Sequence, residues 1–517
     1  MTPSTNPHPQ TWLGRWGDRL GRWNPQLLRE LRGNLTVKSS LATISLVIGL
    51  QFLVNYLLVS LDVRGEWGGE FLLCTRVIWL FAIIFAGGDA ILRDWLNEAK
   101  LGTLGFLRLS PEPAWRILLG KLLGAPALCF LATIAWLPFH LYLVVRSGGD
   151  FGTLLMQDLF NLLIAAAFLS GILAIAVWAD KLNLRWAFYL GGIFFLFPAA
   201  FSIAVSSLKV NVSTSELWWF GVNLAQSQVL LLAWCTAIAI GITAFFWSAA
   251  CRRFNCPHET PLLRHQAYQP FVAFNLIGLG FFWPAGIFSG VALDGWQTIT
   301  AWEAIAAGWA TLQALAIWGT MPSRQQLVDW GRYQHFLRQT PKNQPKNQPK
   351  SQATSWEKLG GADGGWHQLI WNSKGPPFMV PAVNLLITLV IWSPWAIATL
   401  LTNGLSSYGL AGVAVMTSLG VVTAVFTTMT ALVVSISVRT PLAKKFPIAA
   451  MPLLGIAFFP SMGLVLTSPI SSLALGGLAA IGAALLTIQS ARRTLARVGK
   501  SESQLLFESS DSFPQSL

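Results

Sequence analysis

Long apolar runs without charge are the feature that most constrains this chain. No charged residue lies between Ser40 and Leu61, from Phe378 to Thr402, or from Ser406 to Val438. A bilayer core about 30 Å thick is crossed by roughly 20 apolar helical residues, and only helices or closed barrels satisfy their backbone hydrogen bonds in lipid. These runs lack the polar–apolar alternation of barrel strands. The sequence therefore predicts an all-α, polytopic membrane protein.

The composition agrees with this class. Hydrophobic residues make up 54% of the chain and charged residues 11%, with a mean hydropathy of +0.54, whereas soluble domains carry about 25% charged residues. We predict twelve transmembrane helices, at residues 40–61, 74–92, 117–145, 152–178, 184–207, 223–250, 269–293, 299–321, 378–402, 406–438, 446–468 and 470–490.

Basic residues orient the predicted helices. With both termini in the cytoplasm, the inner segments hold 31 of the 35 Lys and Arg residues. The outer loops hold three, Arg64, Arg146 and Lys209. Because Lys and Arg accumulate in cytoplasmic loops, this bias supports an N-in, C-in topology. The charge is spread over short loops, so the basic composition does not indicate nucleic-acid binding.

The spans and the aqueous segments between them divide the chain into six parts. The centre of the longest aqueous segment repeats Lys-Asn-Gln-Pro over 341–350 and cannot bury a core, which predicts a flexible linker. The predicted parts are a cytoplasmic N-terminus with an amphipathic helix (1–39), a six-span unit with a structured cytoplasmic loop at 92–116 (40–265), two further spans (266–321), the cytoplasmic linker (322–377), a four-span part (378–491) and a disordered cytoplasmic tail (492–517).

The first structured aqueous segment precedes the first span. Asn24 and Pro25 supply an N-cap and a proline at the first helical position. At helical spacing an apolar arc faces a basic one, which predicts a helix lying in the cytoplasmic membrane interface with its Arg residues toward anionic lipid head groups. The alternative is an ordinary amphipathic helix packed on other spans. The apolar arc is Trp23, Leu27, Leu28, Leu31 and Leu35, and the basic arc is Arg22, Arg29 and Arg32.

The second structured segment is 92–116. Gly102 and Gly105 in it permit a kink or a close backbone approach. Leu101 and Leu104 fall on or beside its polar face, which indicates either a docking surface for another protein or a slightly irregular amphipathic helix. Its apolar face holds Leu92, Trp95, Leu96, Ala99, Thr103, Phe106 and Leu107, and its polar face holds Asp94, Asn97, Glu98 and Arg108.

Two motifs in this region resemble a known family. Residues 98–111 read EAKLGTLGFLRLSP and are followed at 115–124 by WRILLGKLLG, while 24–32 read NPQLLRELR. In this order they resemble the interfacial helix and the loop between the second and third spans of ABC-2-type transporter permeases. The resemblance covers about residues 20–265, which is the six-span unit of that family.

The resemblance implies a function. In the family this loop carries a coupling helix that contacts a separate ATPase subunit. The resemblance also implies that the protein lies in a bacterial inner membrane. Lys100 and Gly105 depart from the further acids that relatives carry. Residues 266–517 are then either a diverged second permease unit, which would make an internal pseudo-dimer, or an added membrane domain, and a homo- or heterodimeric permease stays open. By this resemblance, the residues expected to couple the chain to the ATPase are Glu98, Leu101, Gly102, Thr103, Leu104 and Pro111.

Catalytic chemistry is not predicted in this chain. It has no G-x4-G-K-[ST] motif, and Gly499-Lys500-Ser501 lacks the first glycine. ATP hydrolysis is therefore expected in the partner, and no cofactor or metal is expected, since Cys251, Cys256 and His258 are a weak ligand set. Two alternatives to the permease are an ion-coupled secondary transporter and a non-transporting membrane enzyme or scaffold. Scattered ionisable residues in or near the spans are His140, Asp158, Glu303 and Asp89, the last expected to pair with Arg93.

Overall fold

The structure is a computed structural model. It describes residues 12–61, 68–146, 151–178 and 218–287, most of 308–332 and of 377–403, and three residues within 485–489. This part of the chain is almost entirely helical, as predicted, with two-residue strands at Trp218–Trp219 and Val222–Asn223.

Two compact units divide the chain. The first comprises residues 1–217 and 223–257. A π-helical turn, Ile83–Gly87, joins two of its helices end to end. Its described helices are α1 (Trp12–Trp23), α2 (Pro25–Asn34), α3 (Val37–Leu61), α4 (Gly68–Ala82), α5 (Gly88–Leu101), α6 (Leu104–Leu109), α7 (Ala114–Gly124), α8 (Ala127–Arg146), α9 (Phe151–Trp178) and α10 (Gln228–Asn255).

Five helical stretches in the described residues are long and apolar enough to cross a membrane. They coincide with the predicted spans at 40–61, 74–92, 117–145, 152–178 and 223–250, so the membrane-protein class is confirmed. The predicted spans at 184–207, 406–438 and 446–468 lie outside the described residues, and only three residues of the predicted span at 470–490 are described. The five stretches are Val37–Leu57, Thr75–Leu101, Ala127–Arg146, Leu154–Trp178 and Gln228–Asn255.

Two span boundaries differ from the prediction. The helix of the second span does not end at 92, because α5 continues without a break to Leu101. The third predicted span, 117–145, consists of two helices that meet at Ala125 and Pro126. Proline has no backbone N–H to continue the helical ladder, and Cys129 and Phe130 bond to the Pro126 carbonyl to start α8.

Burial distinguishes central from peripheral spans. In α9, Leu173, Ala174 and Val177 are fully buried, and this helix packs against α10 along its length. By contrast, α3 exposes large apolar side chains such as Phe52 and Tyr56. An apolar helix surface of this size is expected against lipid tails and not against water. The geometry therefore makes α9 a core helix and α3 a lipid-facing one.

The second unit comprises residues 218–222 and 258–517. Its two long described helices are α11 (Arg264–Ile287) and α12 (Met379–Asn403). They pack against each other although the predicted linker at 322–377 lies between them in sequence. The helix that precedes the linker, α11, and the helix that follows it, α12, therefore belong to one packed unit.

Neutral polar side chains hold this second unit together. The Thr388 hydroxyl accepts hydrogen bonds from Asn275 Nδ2 (3.2 Å) and Trp309 Nε1 (3.0 Å), and it donates to the Asn384 carbonyl (2.9 Å). Asn384 Nδ2 donates to Gln313 Oε1 at 2.8 Å. All five side chains are almost completely buried. Because no water replaces a lost partner in lipid, such bonds tie helices together.

We expect Thr388→Val to destabilise the second unit by about 1–2 kcal/mol, since valine leaves the buried Trp309 indole without its acceptor and leaves Asn275 Nδ2 with the Phe271 carbonyl alone. Thermal unfolding of the purified protein in detergent measures this. The matched control is Thr320→Val, because the equally buried Thr320 hydroxyl bonds only to carbonyls of its own helix. Equal unfolding temperatures for the two variants would contradict the role of the network.

Candidate functional site

A buried lysine lies at the centre of the region that the sequence motifs identify. Lys121, in α7, is 1% exposed, and its Nζ lies 2.5 Å from Asp94 Oδ2, 2.9 Å from Glu98 Oε2 and 3.5 Å from Glu30 Oε1. Arg29 adds ion pairs to both Glu30 and Glu98. We call these five residues the Lys121 cluster. It joins α2, α5 and α7.

Local sequence brings α2 against α7. Asn24 caps α2 as predicted, accepting from the Leu27 amide at 2.9 Å, and its Nδ2 also donates to the Arg116 carbonyl at 2.7 Å. The helix approaches closely because Gly120 carries no side chain, where a Cβ atom would lie 2.8 Å from the Leu27 amide nitrogen. At Gly124 a Cβ would collide with the side chain of Glu30. The two glycines of the GKLLG motif therefore leave the space in which α2 packs closely on α7.

The cluster holds one more carboxylate than it holds cations. Three carboxylates meet two cations, and carboxylate oxygens of Glu30, Asp94 and Glu98 lie within 4.8 Å of one another. Such a triad could hold a metal ion, but the Lys121 ammonium already lies within 3.5 Å of all three. Partial burial lowers the pKa of Arg29, yet its contacts with Glu30 and Glu98 outweigh burial and raise that pKa above its ordinary value.

A left-handed glycine ends α5 and sets the geometry of the loop. Gly102 has φ +74°, its amide bonds to the Ala99 carbonyl, and the Thr103 amide bonds to the Glu98 carbonyl at 3.1 Å. This is the Schellman arrangement, which glycine adopts without strain. The single helix expected over 92–111 is therefore two helices, α5 and α6, that meet at a turn.

The turn changes which coupling residues are accessible. Glu98 and Leu104, both expected to contact the ATPase, are buried, so neither side chain is accessible to a partner in this structure. Glu98 is held by Arg29 and Lys121, and the turn at Gly102 rotates α6 so that Leu104 points inward. Thr103 is half-buried, whereas Pro111 is exposed.

Three apolar side chains instead protrude at the turn. Leu101 is 76% exposed, Phe106 77% and Leu109 83%. We call these three the tip surface. The exposure of Leu101 agrees with the expectation from its place on the polar face, whereas Phe106 was expected on the apolar face with Leu92 and Trp95. A single helical wheel over 92–111 cannot find Phe106, because it ignores the rotation at Gly102.

Aromatic contacts brace the base of the turn. Trp95 is 1% exposed and packs edge-on against Phe254 of α10, with 6.3 Å between ring centroids. The Arg108 guanidinium lies 5.8 Å from the centroid of the same Phe254 ring. Together with the Lys121 cluster, these contacts fix α5 and α6 against the rest of the first unit.

The α2 helix, which corresponds to the predicted interfacial helix, is held partly by polar contacts that its sequence pattern did not predict. Leu27 is buried and Leu31 half-buried, while Trp23, Arg29 and Arg32 are exposed. Gln26 and Glu30 are buried as well, and Gln26 Nε2 donates to Glu30 Oε1 at 2.6 Å. Packing of α2 on α7 agrees with the alternative of an ordinary amphipathic helix. Contact of Trp23, Arg29 and Arg32 with lipid stays a prediction.

A second ionic cluster links three spans. Arg76 of α4 lies 2.9 Å from Asp158 of α9 through Nε, and it donates to Gln157 Oε1 at 2.6 Å. His140 of α8 lies 2.8 Å from the other Asp158 oxygen. Sequence reasoning noted His140 and Asp158 but did not bring them together, because they come from different spans. The expected ion pair between Asp89 and Arg93 is confirmed.

Comparison with known proteins does not identify the chain. No family model matches it, and no match is found among curated proteins or solved structures. The resemblance to ABC-2-type permeases is thus carried by the motifs at residues 24–32, 98–111 and 115–124 alone.

Replacing Lys121 tests whether the cluster holds the first unit together. We expect Lys121→Met to lower the free energy of unfolding by about 3–5 kcal/mol, because it leaves the buried Glu30 and Glu98 and the half-buried Asp94 with one cation. Thermal unfolding measures this, with the exposed Lys38→Met as control. Adding Asp94→Asn to Lys121→Met should recover part of the loss. A Lys121→Met protein as stable as the control would contradict the assignment.

Proposed function

We propose that this protein is the membrane-spanning permease subunit of an ATP-driven ABC transporter, most simply an exporter, which binds a separate ATPase subunit. The observation that carries the proposal is the tip surface: three exposed apolar side chains, Leu101 at the end of α5 and Phe106 and Leu109 in the short helix α6 that follows it. A transporter without its own ATPase motif needs such a contact. The motif resemblance supports the same region.

The position of the tip surface favours contact with a protein in water. The α5 helix is continuous from Gly88 to Leu101, and the apolar part of its span ends at Leu92. At 1.5 Å per residue, Leu101 lies about 13 Å beyond Leu92. The polar head-group region extends only about 5–8 Å beyond the hydrocarbon core on each side. Exposed leucine and phenylalanine side chains in water are a driving force for association.

The braced base of the turn supports transmission of motion. A displacement of the tip surface by the ATPase would move α5. Asp94 and Glu98 of α5 contact Lys121 of α7. The α7 helix leads directly into the spanning helix α8. Arg29 links the same carboxylates to α2. A buried ionic cluster resists deformation because separating its charges is costly in a low-dielectric environment.

The proposal includes a finer topology: twelve spans, both termini in the cytoplasm, and insertion in a bacterial inner membrane. It rests on the distribution of Lys and Arg. Single cysteines placed in 341–350 are expected to react with an impermeant thiol reagent only after the cells are opened. Labelling of these cysteines in intact cells would contradict this topology, and cysteines placed at 147–150 are the control expected to label from outside.

Partner binding is the direct test of the function. Affinity purification of the full chain from its native membrane should recover a protein with Walker motifs, and its absence would overturn the proposal. Leu101→Ala combined with Phe106→Ala should weaken that association about tenfold or more, since buried anchor residues carry most of the binding energy at an interface.

Two controls separate binding from folding. Phe52→Ala removes an equally exposed phenylalanine, 72% exposed, from the lipid-facing helix α3, and it should leave ATPase binding unchanged. Leu104→Ala should instead lower thermal stability, because Leu104 is buried. A double variant that loses stability but keeps its ATPase would show that the tip surface packs elsewhere.

A secondary transporter is the second candidate, favoured by one observation. The cluster of Arg76, Asp158 and His140 places ionisable groups inside a bundle of spans, where ion-coupled transporters carry them. However, both Asp158 oxygens are already engaged, one by a permanent cation. Transport in vesicles driven by an ion gradient without ATP would favour this candidate.

A further inference from the structure

We infer that the partner receives the tip surface in an apolar groove with carboxylates at its rim, opposite Lys100. This inference rests on the proposed function and adds the chemistry of the partner surface. It comes from the distribution of charge around the turn at Gly102, where the carboxylates are directed inward and a cation is left outward.

Acidic side chains near the tip surface are taken up within the chain. Glu98 contacts Arg29 and Lys121, and Asp94 contacts Lys121. Glu112, the remaining acid in the loop, pairs with Arg116 at 2.7 Å. Each of these three carboxylates is thus engaged by a cation of the same chain, and Glu98, which was expected to contact the ATPase, is also buried.

Lys100 is the outward cation. It is exposed, directly precedes Leu101, and has no ion pair with any residue in the described part of the chain. Gly102 and Gly105 beside it have open space where a Cβ would be, so a partner can approach the backbone closely.

Complementary charge is the rule at protein interfaces, where rim charges steer the encounter and fix the register. The exposed Lys100 beside apolar anchors is therefore matched by acids at the edge of an apolar groove. An anionic membrane offers the same charge, but Leu101 lies about 13 Å beyond Leu92 along a continuous helix, past the head-group region. The observations thus favour an acidic protein surface over lipid.

Photo-crosslinking on the full chain in native membranes tests the inference. Benzoylphenylalanine replaces the exposed Phe106, and the crosslinked product is identified by mass spectrometry. We expect a segment of a Walker-motif ATPase that contains Asp or Glu. Lys100→Glu should reduce the yield about fivefold, the upper range for an exposed ion pair, and added salt should reduce it in the unaltered protein.

The matched controls are Lys38→Glu, the same reversal at an exposed lysine in the first turn of α3, and Lys100→Arg, which keeps the charge. Both should retain the yield, and unfolding temperatures show that all variants are folded. An ATPase crosslinked through a segment without carboxylates, or with a yield that Lys100→Glu leaves unchanged, overturns this inference and leaves the proposed function standing. Crosslinks to phospholipid alone, or to no ATPase, overturn both.

Discussion

The first unit depends on the buried ammonium of Lys121. Burying an isolated ammonium group is very costly, so the almost completely buried Lys121 requires the carboxylates of Glu30, Asp94 and Glu98 around it. These acids come from an N-terminal helix and from the end of the second span. The lysine thereby dictates that α2, α5 and α7 meet at one point. The missing side chains of Gly120 and Gly124 let α2 come near enough for this to occur.

Polar contacts organise both units, but by different chemistry. The first unit uses ions, at Lys121 and again at Arg76 and Asp158. In the described part of the second unit, the buried network around Thr388 is neutral, with its hydroxyl as acceptor for an amide and an indole. Lipid tails are as apolar as leucine, so apolar contact alone gives spans little reason to prefer one another. Specific polar pairs supply that preference.

The turn at Gly102 separates what this region exposes from what it hides. The positive φ of Gly102 ends α5 with its last carbonyls satisfied, and α6 then starts in a new direction. As a result Leu104 faces inward and Phe106 outward. The proposed ATPase contact therefore consists of Leu101, Phe106 and Leu109, a set that is apolar, flanked by Lys100 and fixed to the bundle by Trp95. The motif resemblance identified the segment but not the side chains that protrude from it.

The sequence by itself determined the class of the protein, because apolar runs of spanning length have few other solutions. It also determined five of the spans and the Asn24 cap of α2, since these depend on composition and on neighbours within one or two turns. Which polar groups pair across helices was decided by tertiary structure alone. Glu30 and Lys121 are 91 positions apart, and His140 and Asp158 belong to different spans, so no local pattern joins them. The sequence pattern also could not predict that the Leu104 side chain is buried, because helical periodicity predicts which face a residue occupies only while the helix stays unbroken.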